Sequence, residues 1–327
     1  MKEFRFIEFQ QMRDFSEKVS TTLSFVTQNF KSLFRSILYI AGPPLLIVSI
    51  LGGTFMSDFF KLSLQSRGGD PDAALAYFTS VNLWLQIIAM LIFFLVSMVM
   101  TTATVNNYLI LYREKKTNVI EVSDVWVRVR ETFWMYMRTS LLFGVFFVLA
   151  FFVLTIPTFV LTAISPFLVI FGVIFLMSAI FYLYISTSLI YVIQAFEEKG
   201  FFSSVERSFY LTRGKWWSTF GTYFILAMLV GIISYVFFIP GYIIMVVSAL
   251  HSVKENSFEG PGGFSGTMVI VLMTLYYLCQ MVLTCLPNIG LAFQYFNLVE
   301  MKEAKGLMNQ IDTLGQAPGA PTQEEHY

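Results

Sequence analysis

Apolar positions gather into six long runs, about Ile37–Ser57, Leu83–Tyr112, Thr139–Ala163, Phe167–Phe196, Ser218–Leu250 and Thr267–Val299, none of which contains Asp, Glu, Lys or Arg. A helix rises about 1.5 Å per residue, so each run can cross roughly 30 Å of hydrocarbon. The pattern predicts an all-α polytopic membrane protein with six transmembrane helices. The chain then divides into an amphipathic N-terminal segment (1–36), a six-helix domain (37–302) and a disordered tail (303–327).

Between the runs the periodicity changes. Val122, Trp126, Val129 and Phe133 recur at i, i+4, i+7 and i+11, with Asp124, Arg128 and Glu131 on the other faces. That spacing predicts an amphipathic helix lying in the interface before it bends into the next span. The same spacing occurs twice more. It relates Val19, Leu23, Val26 and Phe30, and Val205, Phe209, Thr212 and Trp216. A second correspondence runs without a gap at an offset of 83, pairing Glu114 with Glu197, Arg130 with Arg213, Trp134 with Trp217 and Ile156-Pro157 with Ile239-Pro240. The expectation is three units, each an interfacial helix followed by a helical hairpin. Trp126, Phe133, Trp134, Phe209, Trp216 and Trp217 are the candidate interfacial or partner-docking residues, because a Trp ring has an apolar body and a polar N–H suited to the headgroup zone.

Charge supplies orientation. Eighteen of the 21 Lys and Arg lie in the N-terminal segment, the second and fourth connections and the tail; three lie in the first and fifth connections. By the positive-inside rule both termini are expected in the cytoplasm. Net charge is zero and only 13% of residues are charged, which leaves no basic field for nucleic acid.

Candidate chemistry is sparse. No H-E-x-x-H, paired intramembrane Asp or His within a span is present, and His251 and His326 sit outside the apolar interiors. Glu197, Glu198 and Glu206 share one segment with Lys199, Arg207 and Lys215, an arrangement read as surface pairing. Cys279 and Cys285, six apart on one helix, read as apolar thiols. No catalytic residue, cofactor or metal is therefore expected. Amides inside the runs are read chiefly as packing bonds between helices. Asn106, Gln280, Pro287 and Asn288 mark the candidate polar pathway or helix break, since Pro287 frees a carbonyl near Leu283. Pro157 and Pro240 are expected to kink or end their helices. The function expected is a non-enzymatic scaffold, accessory or assembly subunit of a membrane complex, with membrane lipids and other membrane proteins as partners. The alternative is a facilitator or lipid-handling protein without proton coupling.

The stretch Phe202-Ser203-Ser204-Val205-Glu206-Arg207-Ser208-Phe209, continued at Arg213-Gly214-Lys215-Trp216-Trp217, resembles a signature of the six-helix membrane domain fused to some bacterial glycerophosphodiester phosphodiesterases and of its stand-alone relatives. The resemblance covers about 20 residues closely. It implies a multi-pass protein of the bacterial cytoplasmic (inner) membrane. It does not imply phosphodiesterase activity, which belongs to a separate soluble domain.

Overall fold

The computed structural model describes residues 5–67, 71–254, 263–304, 306 and 308. Asp70, which as the residue before Pro71 suits a helix N-cap, the Gly260-Pro261-Gly262 turn sequence and nearly all of the tail lie outside the described residues. The described chain is helical: α1 (Phe15–Ile40), α2 (Gly42–Arg67), α3 (Pro71–Thr79), α4 (Val81–Lys115), α5 (Val122–Ile164), α6 (Val169–Thr187), α7 (Ile190–Glu197), α8 (Phe201–Thr212), α9 (Trp216–Lys254), α10 (Gly263–Leu283) and α11 (Cys285–Glu303). Six stretches are long and apolar enough to cross a membrane: Gly42–Ser63, Val81–Lys115, Val122–Ile164, Pro166–Glu197, Trp216–His251 and Phe264–Glu303. This is the architecture of a multi-pass integral membrane protein.

The three amphipathic segments take three different forms, so three like units do not emerge. The first is α1. Asp14 and Glu17 close a capping box at its start, with Asp14 Oδ1 accepting from the Glu17 N–H at 2.7 Å and Glu17 Oε2 accepting from the Asp14 N–H at 3.0 Å. α1 then runs as a crossbar under the spans. Lys18 Nζ donates to Ser218 at the start of α9 (2.6 Å), and Ser32 Oγ donates to the Ile120 carbonyl before α5 (2.6 Å). Those two anchors lie about 21 Å apart along the helix. Its buried face is Lys18, Thr22, Phe25, Asn29, Leu33, Ser36, Ile37 and Ile40. The stripe read from the sequence lies one residue round the helix, and its Phe30 is exposed. Ile37 and Ile40 belong to this crossbar, so the first span begins at Gly42 rather than Ile37.

The second segment is continuous with its span. α5 is 43 residues long, about 65 Å, so it overshoots any bilayer core and carries Val122–Trp134 beyond it. Val125, Val129 and Tyr136 are its buried face, while Trp126 is 40% exposed. Only the third segment is a separate short helix, α8, because the chain turns at Gly214 (φ +78°) before α9 begins. Pro157 and Pro240 end neither α5 nor α9, both of which continue beyond them.

Spans α2, α4, α5, α6, α9 and α10 form a ring in that order, with α10 returning to α2. The ring has a basic end, where α1, the starts of α5 and α8 and the end of α11 meet. Here Phe9 and Phe25 pack against Tyr112 (5.8 and 4.9 Å between ring centroids) and Phe293 (5.5 and 5.8 Å). The arm before α1 is tied in by bonds from Ile7 N–H to Tyr112 (2.9 Å) and from Arg13 N–H to Asn297 (2.7 Å). α11 fills the middle of this end, and every residue from Cys285 to Glu300 except Asn288 is buried.

The opposite half is looser. α2 and α10 approach closely at Gly53, where a Cβ would sit 2.9 Å from the Ile270 carbonyl. α5 and α6 meet at Thr158 and Gly172, with Thr158 Oγ1 bonding the Gly172 carbonyl at 3.0 Å. α6 touches α9 near the basic end, through Phe181–Phe220 (5.3 Å) and Tyr184–Tyr223 (2.9 Å between hydroxyls). Further out, Phe171, Ile174 and Phe175 on α6 and Ile232, Ile233 and Val236 on α9 are exposed.

Candidate intramembrane cavity

Two of the six spans are broken, and both breaks lie at the wall of one cavity. The last span turns at Thr284, between α10 and α11. Pro287 lies in the first turn of α11, where a missing N–H costs least. The Thr284 hydroxyl donates to the Met281 carbonyl (2.5 Å) rather than to Leu283. The fourth span breaks at Ser188–Leu189, between α6 and α7, and Ser188 Oγ caps the Ile185 carbonyl at 2.8 Å. The Ser186 carbonyl accepts instead from Ser208 on α8 (2.6 Å). Irregular backbone at membrane depth is tolerated where protein or a cavity covers it.

The cavity holds about 270 Å³ and is lined from every span of the ring. α4 contributes Phe94, Ser97, Met98, Thr101 and Thr102; α6 contributes Tyr184, Thr187 and Ser188; α9 contributes Tyr223. Thr284, Pro287 and Asn288 complete the wall at the break. Its polar groups are hydroxyls and one amide, and no Asp, Glu, Lys, Arg or His stands among the lining residues. Most of these hydroxyls are already engaged, as in Ser97 Oγ to the Phe94 carbonyl (2.9 Å) and Thr187 Oγ1 to the Leu183 carbonyl (2.7 Å). Thr101 differs: it is 3% exposed and its hydroxyl has no partner. A buried hydroxyl without a hydrogen bond costs about 1–3 kcal/mol.

Of the four residues expected at a polar pathway or break, Pro287 and Asn288 line this cavity. Asn106 is buried against Tyr136 instead, and Gln280 is partly buried on α10 away from the wall. The other amides join helices: Gln194 accepts from Thr139 (2.7 Å), Asn107 donates to Thr132 (2.8 Å), and Gln294 bonds both Lys18 (2.7 Å) and Thr219 (2.9 Å). The lining hydroxyls were missed because amides were weighed and hydroxyls were not. The signal was present as Ser97, Thr101 and Thr102, and as Ser186-Thr187-Ser188, two hydroxyl clusters within otherwise apolar runs.

The residues of the short signature serve assembly at the basic end. Arg207 is gripped by Glu197, with Nε–Oε1 at 3.0 Å and Nη2–Oε1 at 2.9 Å, and also bonds Glu303. Tyr295 and Lys199 complete the set around Glu197, at 2.9 and 2.8 Å. The bonds to Glu303 and Glu197 hold the Arg207 pKa above its ordinary value. Arg207 thereby ties α8 to α7 and α11. Glu206 is exposed and Glu198 takes a left-handed helix cap, so no three-carboxylate cluster forms here.

The aromatic docking candidates divide. Trp216 stacks on Tyr182 (5.7 Å) and donates its indole N–H to the Tyr182 carbonyl (3.3 Å). Phe133 and Phe209 are half-buried. Trp126, Trp134 (74% exposed) and Trp217 (76% exposed) remain outward-facing near the basic end. Comparison of the chain with protein-family models, curated proteins and solved structures returned no match.

Proposed function

We propose that this chain is a non-enzymatic protein of a bacterial cytoplasmic membrane, with both termini in the cytoplasm, that binds a ligand in its central cavity as a lipid-handling protein or facilitator. The observation that carries this reading is an uncharged cavity walled by two broken spans, with Thr101, whose hydroxyl has no partner, among its lining residues. Discontinuous helices around an intramembrane cavity are a recurrent way of building a binding site at that depth. The wall offers hydrogen bonds but no base to activate a nucleophile, which favours binding over catalysis. Native mass spectrometry of the full chain, extracted in mild detergent, tests this. The expected result is a low-mass adduct that disappears in Thr101→Trp, whose larger side chain fills the cavity. A chain that never carries an adduct would overturn the reading.

A scaffold or assembly role is the second reading, favoured by the exposed Trp126, Trp134 and Trp217 near the basic end. It calls for a stoichiometric partner protein in the same spectra, lost when these three residues become Ala and kept in Thr101→Trp.

A further inference from the structure

We infer that the ligand is an uncharged, hydroxyl-bearing amphiphile of the bilayer that enters sideways, head first, past Phe94 and Met98 on α4. This rests on the cavity being a binding site, as proposed above.

The wall excludes a charged head. A phosphate moved into this space would lose its hydration and meet no cation, since no Lys or Arg lines it. An unpaired buried ion costs several kcal/mol. An alcohol or ester meets what the wall presents instead. The unpartnered Thr101 hydroxyl can bond it once its side chain turns toward the space, and Asn288, the one residue of Cys285–Glu300 on α11 that is not buried, supplies an amide.

Size and polarity set the entry route. About 270 Å³ is space for roughly nine waters at ~30 Å³ each. That suits a glycerol-sized head and not a pair of acyl chains. Along α4 the lining has two characters. Ser97, Thr101 and Thr102 are buried, while Phe94, nearest the outer end, and Met98, next to Ser97, line the same cavity and are 49% and 36% exposed. Phe143 on α5 adds a further apolar group. A water path from outside would need a polar mouth, whereas this one is greasy. Towards the basic end the way is filled by the rings of Phe25, Tyr108, Tyr112 and Phe293, all fully buried. Head at Thr101 and chains past Phe94 and Met98 is the orientation that satisfies both.

The test uses the full chain in nanodiscs with two photoactivatable probes of equal chain length, a diacylglycerol and a phosphatidylglycerol, and maps crosslinked peptides. The diacylglycerol should label residues 94–102 and 284–291 saturably, with competition by unlabelled diacylglycerol. Thr101→Val, which keeps the volume and removes the hydroxyl, should weaken that competition about three- to tenfold, the loss of one hydrogen bond. Thr101→Ser should restore it. Phosphatidylglycerol should label only outward-facing residues such as those of α5 and α6. Equal labelling of the cavity by phosphatidylglycerol overturns this inference and leaves the binding site standing. So does an adduct in the native spectrum that neither probe displaces. Saturable labelling by neither probe, with no adduct, overturns both.

Discussion

Replacing Lys18 with Met should change how the stability of this fold depends on pH. Lys18 is 2% exposed, donates to Ser218 and Gln294, and forms no ion pair among the described residues. Burial, reinforced by Lys215 and opposed by Asp14, pushes its pKa from 10.5 down to about 8. Between those values the unfolded chain holds a proton that the folded chain has released, so this group makes stability rise from about pH 8 to about pH 10.5. At about 1.4 kcal/mol per pH unit, the charged ammonium costs the fold about 3 kcal/mol below pH 8. Lys18→Met removes that cost and leaves Gln294 Oε1 without its donor, a loss of about 1–3 kcal/mol. The variant should therefore equal or exceed the parent at pH 7 by up to about 2 kcal/mol, and fall below it by about 1–3 kcal/mol at pH 10.5. Unfolding in mixed micelles, followed by tryptophan fluorescence at intervals from pH 6.5 to 10.5, reads the difference, in which titrating groups that do not interact with Lys18 cancel. A difference that stays flat across this window would show that Lys18 keeps an ordinary pKa and that α1 is not seated as described.

Arg207→Ala should destabilise the basic end by about 3 kcal/mol, because it leaves the half-buried Glu197 with only Lys199 and Tyr295 and removes the tie from α8 to Glu303 on α11. Glu303→Gln should cost less, and an Arg207→Ala loss below 1 kcal/mol would make the cluster incidental. Phe9→Ala should lower stability by about 3–5 kcal/mol, since the ring is buried among Phe25, Tyr112, Phe293 and Phe296; an unchanged unfolding midpoint would place the N-terminal arm outside the core. Reporter fusions at the two termini should read the same side of the membrane, since six spans return the chain to its starting face; opposite readings would require an odd number of crossings.

The spans were legible because hydrocarbon imposes one requirement, an apolar helix free of charge, and the six runs meet it without exception. The break at Pro287 was legible for a similar reason, since a residue without an N–H declares itself locally. The break at Ser188 was not, because nothing in Ser186-Thr187-Ser188 forbids a helix; docking of Ser208 on the Ser186 carbonyl is a tertiary event. α1 was placed in the interface because its buried face carries Lys18, Thr22, Asn29 and Ser36, which a polarity pattern assigns to solvent. Each has a partner contributed by another helix or by the preceding turn, as Lys18 has in Gln294 and Asn29 in the Tyr108 hydroxyl. The cavity escaped notice for the same reason: its wall is assembled from separate helices, and Thr101 stands out from the other lining hydroxyls only by lacking a hydrogen-bond partner.

The most direct test of the account is a structure of the chain in native-lipid nanodiscs, resolved well enough to show bound lipid. The account calls for elongated non-protein density with its compact end between Thr101 and Asn288 and its tail leaving past Phe94 and Met98. A cavity collapsed by side chains, or filled by a continuous file of water, would contradict it.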